Sequence, residues 1–204
     1  MAKNCCEAKS CEIDALRGRQ SRVLWVVLAI NLAMFLVELS AGILAHSTAL
    51  LADSLDMLGD ALVYGFSLFA VTRSPRWGAG AALLKGAIML LFGLGVLAEA
   101  LYKSFQPIVP SAQIMGVIGL LALMANSAVL LLLWRHRADN LNMRSTWLCS
   151  RNDIIANLGV LLAAAAVSLT LSRWPDIVVG MVIAALFLHS AADVLRQSMK
   201  ELRT

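Results

Sequence analysis

LLADSLDMLGD, residues 50–60, places Asp53, Asp56 and Asp60 in a run otherwise apolar enough to cross a membrane. An aspartate at the centre of a bilayer costs on the order of 3 kcal/mol, so residues of this kind mark ion paths, proton relays or ligand sites. The spacing i,i+4 sets Asp56 and Asp60 one turn apart on one helix face, where both carboxylates can grip one cation. Asp53, three residues before Asp56, sits nearer the opposite end of the helix. A second run, WLCSRNDIIANLGVLLAA at 147–164, repeats the spacing with Cys149 and Asp153, and Asn157 extends that face by one more turn. Two pairs of candidate ligands on two membrane helices decide the reading. The chain is expected to be all-α, with helices that span a bilayer.

Composition agrees with that expectation. Hydrophobic residues make up 60% of the chain and charged residues 15%, against roughly 25% charged in an average soluble domain. The 204 residues leave room for about six spans of roughly 20 residues and little else. Six apolar segments are predicted, at 23–44, 47–71, 79–101, 112–134, 146–171 and 177–195. Arg22, Ser74-Pro75, the proline-bearing stretch 106–110, the charged loop 135–144 and Trp174-Pro175 punctuate them. An even number of spans puts both termini on one side. One set of connections carries Arg17, Arg19 and Arg22, then Arg73 and Arg76, then Arg135, Arg137 and Arg144, then Arg196, Lys200 and Arg203. The other set has little beyond Lys103 and Arg173, so both termini are expected in the cytoplasm. The net charge of +4 lies in these loops and tails and reports topology, not a nucleic-acid partner.

Residues 1–22 are polar and lack the apolar stretch of a signal peptide. They carry Cys5, Cys6 and Cys11 beside Glu7 and Glu12. Cytosolic thiols stay reduced, so no disulfide framework is expected, and the second CxxC of a zinc fold is missing. An exposed tail is the plain reading; capture of soft cations is the alternative.

Each polar residue within a span carries two readings. The aspartates of the second segment either bind a cation or merely cap a helix and face a water-filled crevice. Cys149 is either a soft thiolate ligand for zinc, cobalt or cadmium, or a buried cysteine acting as a small hydrophobe. Asn31 and Glu38 share a face of the first segment and are expected to hydrogen-bond neighbouring helices, with proton shuttling by Glu38 as the alternative. Lys85 and Arg151 are expected to snorkel to the cytoplasmic interface. His189 and Asp193 have ligand spacing but are read as an interface pair.

HSTALLADSLDMLGDAL at 46–62 and CSRNDIIANLGVLLAA at 149–164 resemble the paired metal-binding segments of the cation diffusion facilitator family of divalent-metal/proton antiporters. NLAMFLVEL at 31–39 and PDIVVGMVIAALFLHSAADVLRQS at 175–198 are similar as well, so the likeness runs over most of the chain. The resemblance implies Asp56, Asp60 and Asp153 as ligands, with Cys149 the fourth, standing where the family usually has histidine. The third segment reads WGAGAALLKG at 77–86 in place of the usual arginine and glutamate. The sequence stops at Thr204, so the expected organisation is a tail at 1–22, a six-helix transmembrane cation efflux domain at 23–198 and a cytosolic end at 199–204. No C-terminal cytoplasmic domain follows in that scheme, and a homodimer would rest on the membrane helices alone. The substrates implied are a divalent metal ion, zinc or cobalt above all, and protons; no prosthetic group and no enzymatic activity are implied. The setting implied is a bilayer, of the bacterial inner membrane type. Two further readings stand beside it: a membrane metal sensor or partner that transports nothing, and a phosphatidyltransferase-like enzyme. The enzyme motif needs further aspartates on the neighbouring helix, and the third segment carries none.

Overall fold

In hydrocarbon a backbone has only itself to hydrogen-bond with, so a long apolar run closes into a helix. The computed structural model describes residues 21–70, 75–134 and 141–203, with side chains over 25–62, 86–132 and 153–196 and at a few neighbouring positions. Six helices follow in order: α1 Ser21–Ala45, α2 Thr48–Ala70, α3 Pro75–Phe105, α4 Ala112–Trp134, α5 Leu141–Thr170 and α6 Trp174–Arg203. The all-α, six-helix expectation holds. Three helices nevertheless outrun their apolar segments, with α3, α5 and α6 starting at 75, 141 and 174 instead of 79, 146 and 177, and α6 reaching Arg203. Apolar length measures the membrane-crossing part only, and charged residues extend a helix beyond it by snorkelling. Pro75 and Pro175 begin helices because a missing N–H costs nothing in a first turn.

Among the described residues, five helices are long and apolar enough to cross a membrane, over Trp25–Ala45, Gly86–Phe105, Ala112–Leu132, Asp153–Thr170 and Trp174–Arg196. These five also turn large apolar side chains outward, among them Leu36, Leu91, Leu131, Leu162 and Leu186. An apolar exterior of this kind is matched to acyl chains. The exception is α2, whose 23 residues reach about 34 Å but carry three aspartates. From Ser47 to Ala61 every side chain of this region is buried except the half-buried Asp56.

That burial follows from position, because α2 contributes to three apolar clusters. Ala49 and Leu50 join Ala41 and Ala45 of α1, Met115 of α4 and Val160, Ala163, Ala164 and Val167 of α5. Leu51, Ala52 and Leu55 pack with Met89 and Val96 of α3 and Ala184, Phe187 and Ala191 of α6. Met57 and Leu58 meet Met34 and Phe35 of α1 and Ala122 of α4. The stretch of α2 that carries three aspartates is therefore enclosed by the other helices.

Only His46 and Ser47 separate α1 from α2. His46 adopts a left-handed conformation with φ 52°. Its N–H bonds the Ile43 carbonyl at 3.2 Å and that of Ser47 bonds Gly42 at 2.9 Å, the paired bonds that close a helix C-terminus. Ser47 then caps the next helix, its Oγ accepting the Leu50 N–H at 3.1 Å.

Candidate metal centre

On α2, Asp56 and Asp60 project one turn apart, Asp60 buried and Asp56 half-buried. On α5, Asp153 is half-buried and Asn157 is buried one turn farther along. The Asn157 Nδ2 donates to the Asp153 carbonyl at 2.6 Å. That bond fixes the amide plane and leaves Oδ1 buried without a hydrogen-bond partner in the protein. The two helices meet through Ala49 and Leu50 against Val160, Ala163 and Ala164. Among the described residues, no three histidine, cysteine, aspartate or glutamate side chains converge closely enough to hold an ion. Cys149 lies on helical backbone, but its side chain is outside the described residues, as are Lys85, Arg151 and the Cys5, Cys6 and Cys11 tail.

Beside the predicted ligands lies a second set of polar groups. Glu38 of α1 is fully buried and Asp53 is 1% exposed. None of their four carboxylate oxygens finds a hydrogen-bond partner in the protein. Glu38 lies within electrostatic reach of both Asp53 and Asp56. The expected inter-helix hydrogen bonding is therefore not made by Glu38, nor by the Nδ2 of Asn31, which also lacks a partner. A buried polar group left unmatched costs about 1–3 kcal/mol, so structural economy does not account for Glu38 and Asp53. Asn126 of α4 belongs with them, buried and with its Nδ2 unmatched. Sequence reasoning missed it, although an amide inside the unbroken apolar run of α4 is a visible signal.

The α1–α2 end of the bundle is built differently. Asp176, in the first turn of α6, is 1% exposed. Its Oδ1 accepts the Ser47 hydroxyl at 2.6 Å and the Ala49 N–H at 3.0 Å, and its Oδ2 accepts the Thr48 N–H at 2.7 Å. A carboxylate so placed satisfies the free donors at the α2 N-terminus and faces the positive end of the helix dipole. At the same end Arg173 donates to the Ser104 carbonyl at 3.1 Å, capping α3, and Lys103 pairs with Glu99 at 3.2 Å. Both cations of the sparsely charged connections thus have local partners. Far from them on α6, Asp193 lies 3.6 Å from His189 and 3.7 Å from Arg196, and His189 is 76% exposed. The His189 and Asp193 side chains thus lie one turn apart within ion-pair distance.

The cation efflux transmembrane domain family matches residues 24–203 of the chain. The chain is 26% identical over 196 residues to a cadmium, cobalt and zinc/H(+)-K(+) antiporter of Bacillus subtilis, a match covering 89% of this chain and 63% of the relative. It is 29% identical over 195 residues to the zinc transporter ZitB of Yersinia pestis, covering 89% and 62%. It is 24% identical over 197 residues to the metal cation efflux system protein CzcD of Cupriavidus metallidurans, covering 91% and 62%. The chain thus spans a little over three fifths of the length of these relatives.

Proposed function

The chain belongs to the cation efflux family of multi-pass membrane transporters, and on that premise we propose that it exports a divalent transition-metal cation from the cytoplasm in exchange for protons. Zinc, cobalt and cadmium are the cations that its relatives' names carry. The enzyme reading falls, since the family is one of transporters. The observation that carries the proposal is the placing of Asp56 and Asp60 on the one helix that the others enclose, against the helix that bears Asp153. The proposed ligands are these three carboxylates, with Cys149 the fourth.

Exchange follows from charge. A site that gives up a divalent cation and takes up protons keeps its net charge low in both states, which is what crossing a low-dielectric interior requires. Helix movement would expose the site to each side in turn. Glu38 and Asp53, buried without hydrogen-bond partners, are suited to carry protons between the metal site and the α1–α2 end. The arginine asymmetry supports cytoplasmic termini and makes the α1–α2 end the outer one. A bacterial inner membrane, a homodimer through the membrane helices and metal collection by Cys5, Cys6 and Cys11 belong to the same reading. So does the division into a tail at 1–22 and a transport domain at 23–198.

Reconstitution tests it. Vesicles holding the protein, a metal-sensitive dye and a pH-sensitive dye should show uptake of zinc, cobalt or cadmium with proton movement in the opposite direction. Metal movement with no proton signal would sink the antiport proposal, and no movement of any of the three would sink transport itself.

A further inference from the structure

The first turn of α2 is held in a way that ligand chemistry does not require. Asp176 accepts three hydrogen bonds there, from the Ser47 hydroxyl and the Thr48 and Ala49 amides. One turn farther along α6, Gly180 lies directly on the α2 backbone. A Cβ at that position would stand 2.7 Å from the Thr48 carbonyl carbon and 2.9 Å from the Ala49 nitrogen, so only glycine permits the approach. Polar bonding and backbone contact thus coincide at a single end of the α2–α6 interface.

Below that point the interface changes character. Leu51, Ala52 and Leu55 pack with Ala184, Phe187 and Ala191 in an apolar cluster. At Gly59 a Cβ would meet only the Phe187 ring, at 3.2 Å, and the flexible end of Met89, at 3.5 Å. Contacts of this kind have no direction and can shift without leaving a donor unmatched, whereas the Asp176 bonds cannot. Hydrogen bonds and direct backbone contact from α6 thus converge on the first turn of α2, beside Ser47.

We propose that Asp176 is a positioning residue that pins the outer end of α2 to α6 throughout the transport cycle, so that the helix bearing Asp56 and Asp60 pivots about that end. The inference rests on the transport reading above. Its consequence is that Ser47 and Asp176 never separate while Asp60 does move. The outward opening then forms on the other flank of α2, toward α1 and α5, where Glu38 and Asp53 lie.

A reversible bridge decides it. In full-length protein with Cys5, Cys6 and Cys11 replaced by serine, Ser47→Cys and Asp176→Cys are introduced together, and Cys149 is kept. Zinc flux is read in vesicles of phosphatidylethanolamine and phosphatidylglycerol before and after reduction, with bridging checked by mass spectrometry. The reduced pair, lacking the clasp, should run about tenfold below the parent, as expected for a mispositioned site, and the bridged pair should regain a rate close to the parent's. A bridged form that is locked and recovers on reduction would overturn the proposal, because the clasp would then be a gate that has to open. Equal rates in both forms would overturn it too. A parent that moves no zinc, cobalt or cadmium would instead overturn the transport reading, a distinct result. If the pair does not insert or bridge, Asp176→Asn and Asp176→Glu decide. The maximal flux of Asp176→Asn should fall about tenfold with half-saturating zinc unchanged, and Asp176→Glu should recover part of it. A shifted half-saturation at an unchanged maximum would refute pinning.

Discussion

Asp53 and Asp176 are the same residue, each 1% exposed, on neighbouring helices of the bundle. Asp176 accepts three hydrogen bonds from the first turn of α2. Asp53 accepts none from the protein, and Glu38, within electrostatic reach of it, is in the same condition. Burial alone therefore does not distinguish a carboxylate that holds the fold from one kept for work. The distinction lies in whether the fold supplies partners. A satisfied buried carboxylate contributes stability, while an unsatisfied one subtracts from it and is retained for what it binds or carries.

The largest expected effect lies with the ligands themselves. Asp60→Asn and Asp153→Asn keep size and remove the anion, so a metal shell loses a ligand while packing is preserved. Flux in vesicles with verified insertion should fall at least about a hundredfold, beyond the 10–100-fold that loss of a mere supporting residue causes. Wild-type flux in either variant would remove that residue from the site, whatever the fold.

The next effect sets the two buried aspartates against each other directly. Asp176→Asn replaces an acceptor oxygen with a donor facing amide N–H groups and should cost about 2–3 kcal/mol, read as a lower thermal midpoint in detergent. Asp53→Asn removes an ionisable group that the fold leaves unmatched, so the midpoint should stay level or rise, by up to about 1 kcal/mol in stability. Equal losses at both positions would mean that Asp53 also holds the fold, and the contrast would collapse.

Gly180→Ala sharpens the contrast at smaller amplitude. Its Cβ would overlap backbone atoms of Thr48 and Ala49, which cannot turn aside, so overpacking should cost about 1–3 kcal/mol. Gly95, where a Cβ would meet nothing within 4 Å, is the control. Ala at Gly95 should be neutral or slightly stabilising through helix propensity, by up to about 1 kcal/mol.

Much of this arrangement was legible in the sequence, and its limits have physical causes. Apolar runs and prolines set the number and order of the helices, because bilayer thickness imposes a length on each. Asp53, Asp56, Asp60 and Asp153 stood out because a carboxylate in such a run is costly. Glu38 was legible as an oddity, but its lack of partners was not, since that depends on what α2 turns toward it. The Asp176 clasp was not legible at all. Its partners lie 127 to 129 positions away, and two of the three are backbone amides, which leave no mark in a sequence. The Ser47-Thr48 start of α2 and the Trp174-Pro175-Asp176 start of α6 each look like a helix cap, and nothing local tells that one caps the other.

The smallest expected effect separates the two pairs of predicted ligands. Asp56 and Asp60 on α2 are both hard oxygen donors, whereas α5 offers Asp153 with the softer Cys149 one turn before it. A thiolate favours soft cations, so Cys149 should set preference while the carboxylates set capacity. Cys149→His keeps a strong ligand, and its flux should persist with the cadmium-to-zinc ratio lowered about three- to tenfold. Cys149→Ser keeps the size but loses the soft donor, so cadmium flux should fall more than zinc flux. Competition between the two metals in one vesicle population reads the ratio without depending on how much protein is inserted. An unchanged ratio in both variants would remove Cys149 from the shell and leave Asp153 as the α5 ligand, with Asn157, buried one turn beyond it with a free Oδ1, the next residue to test.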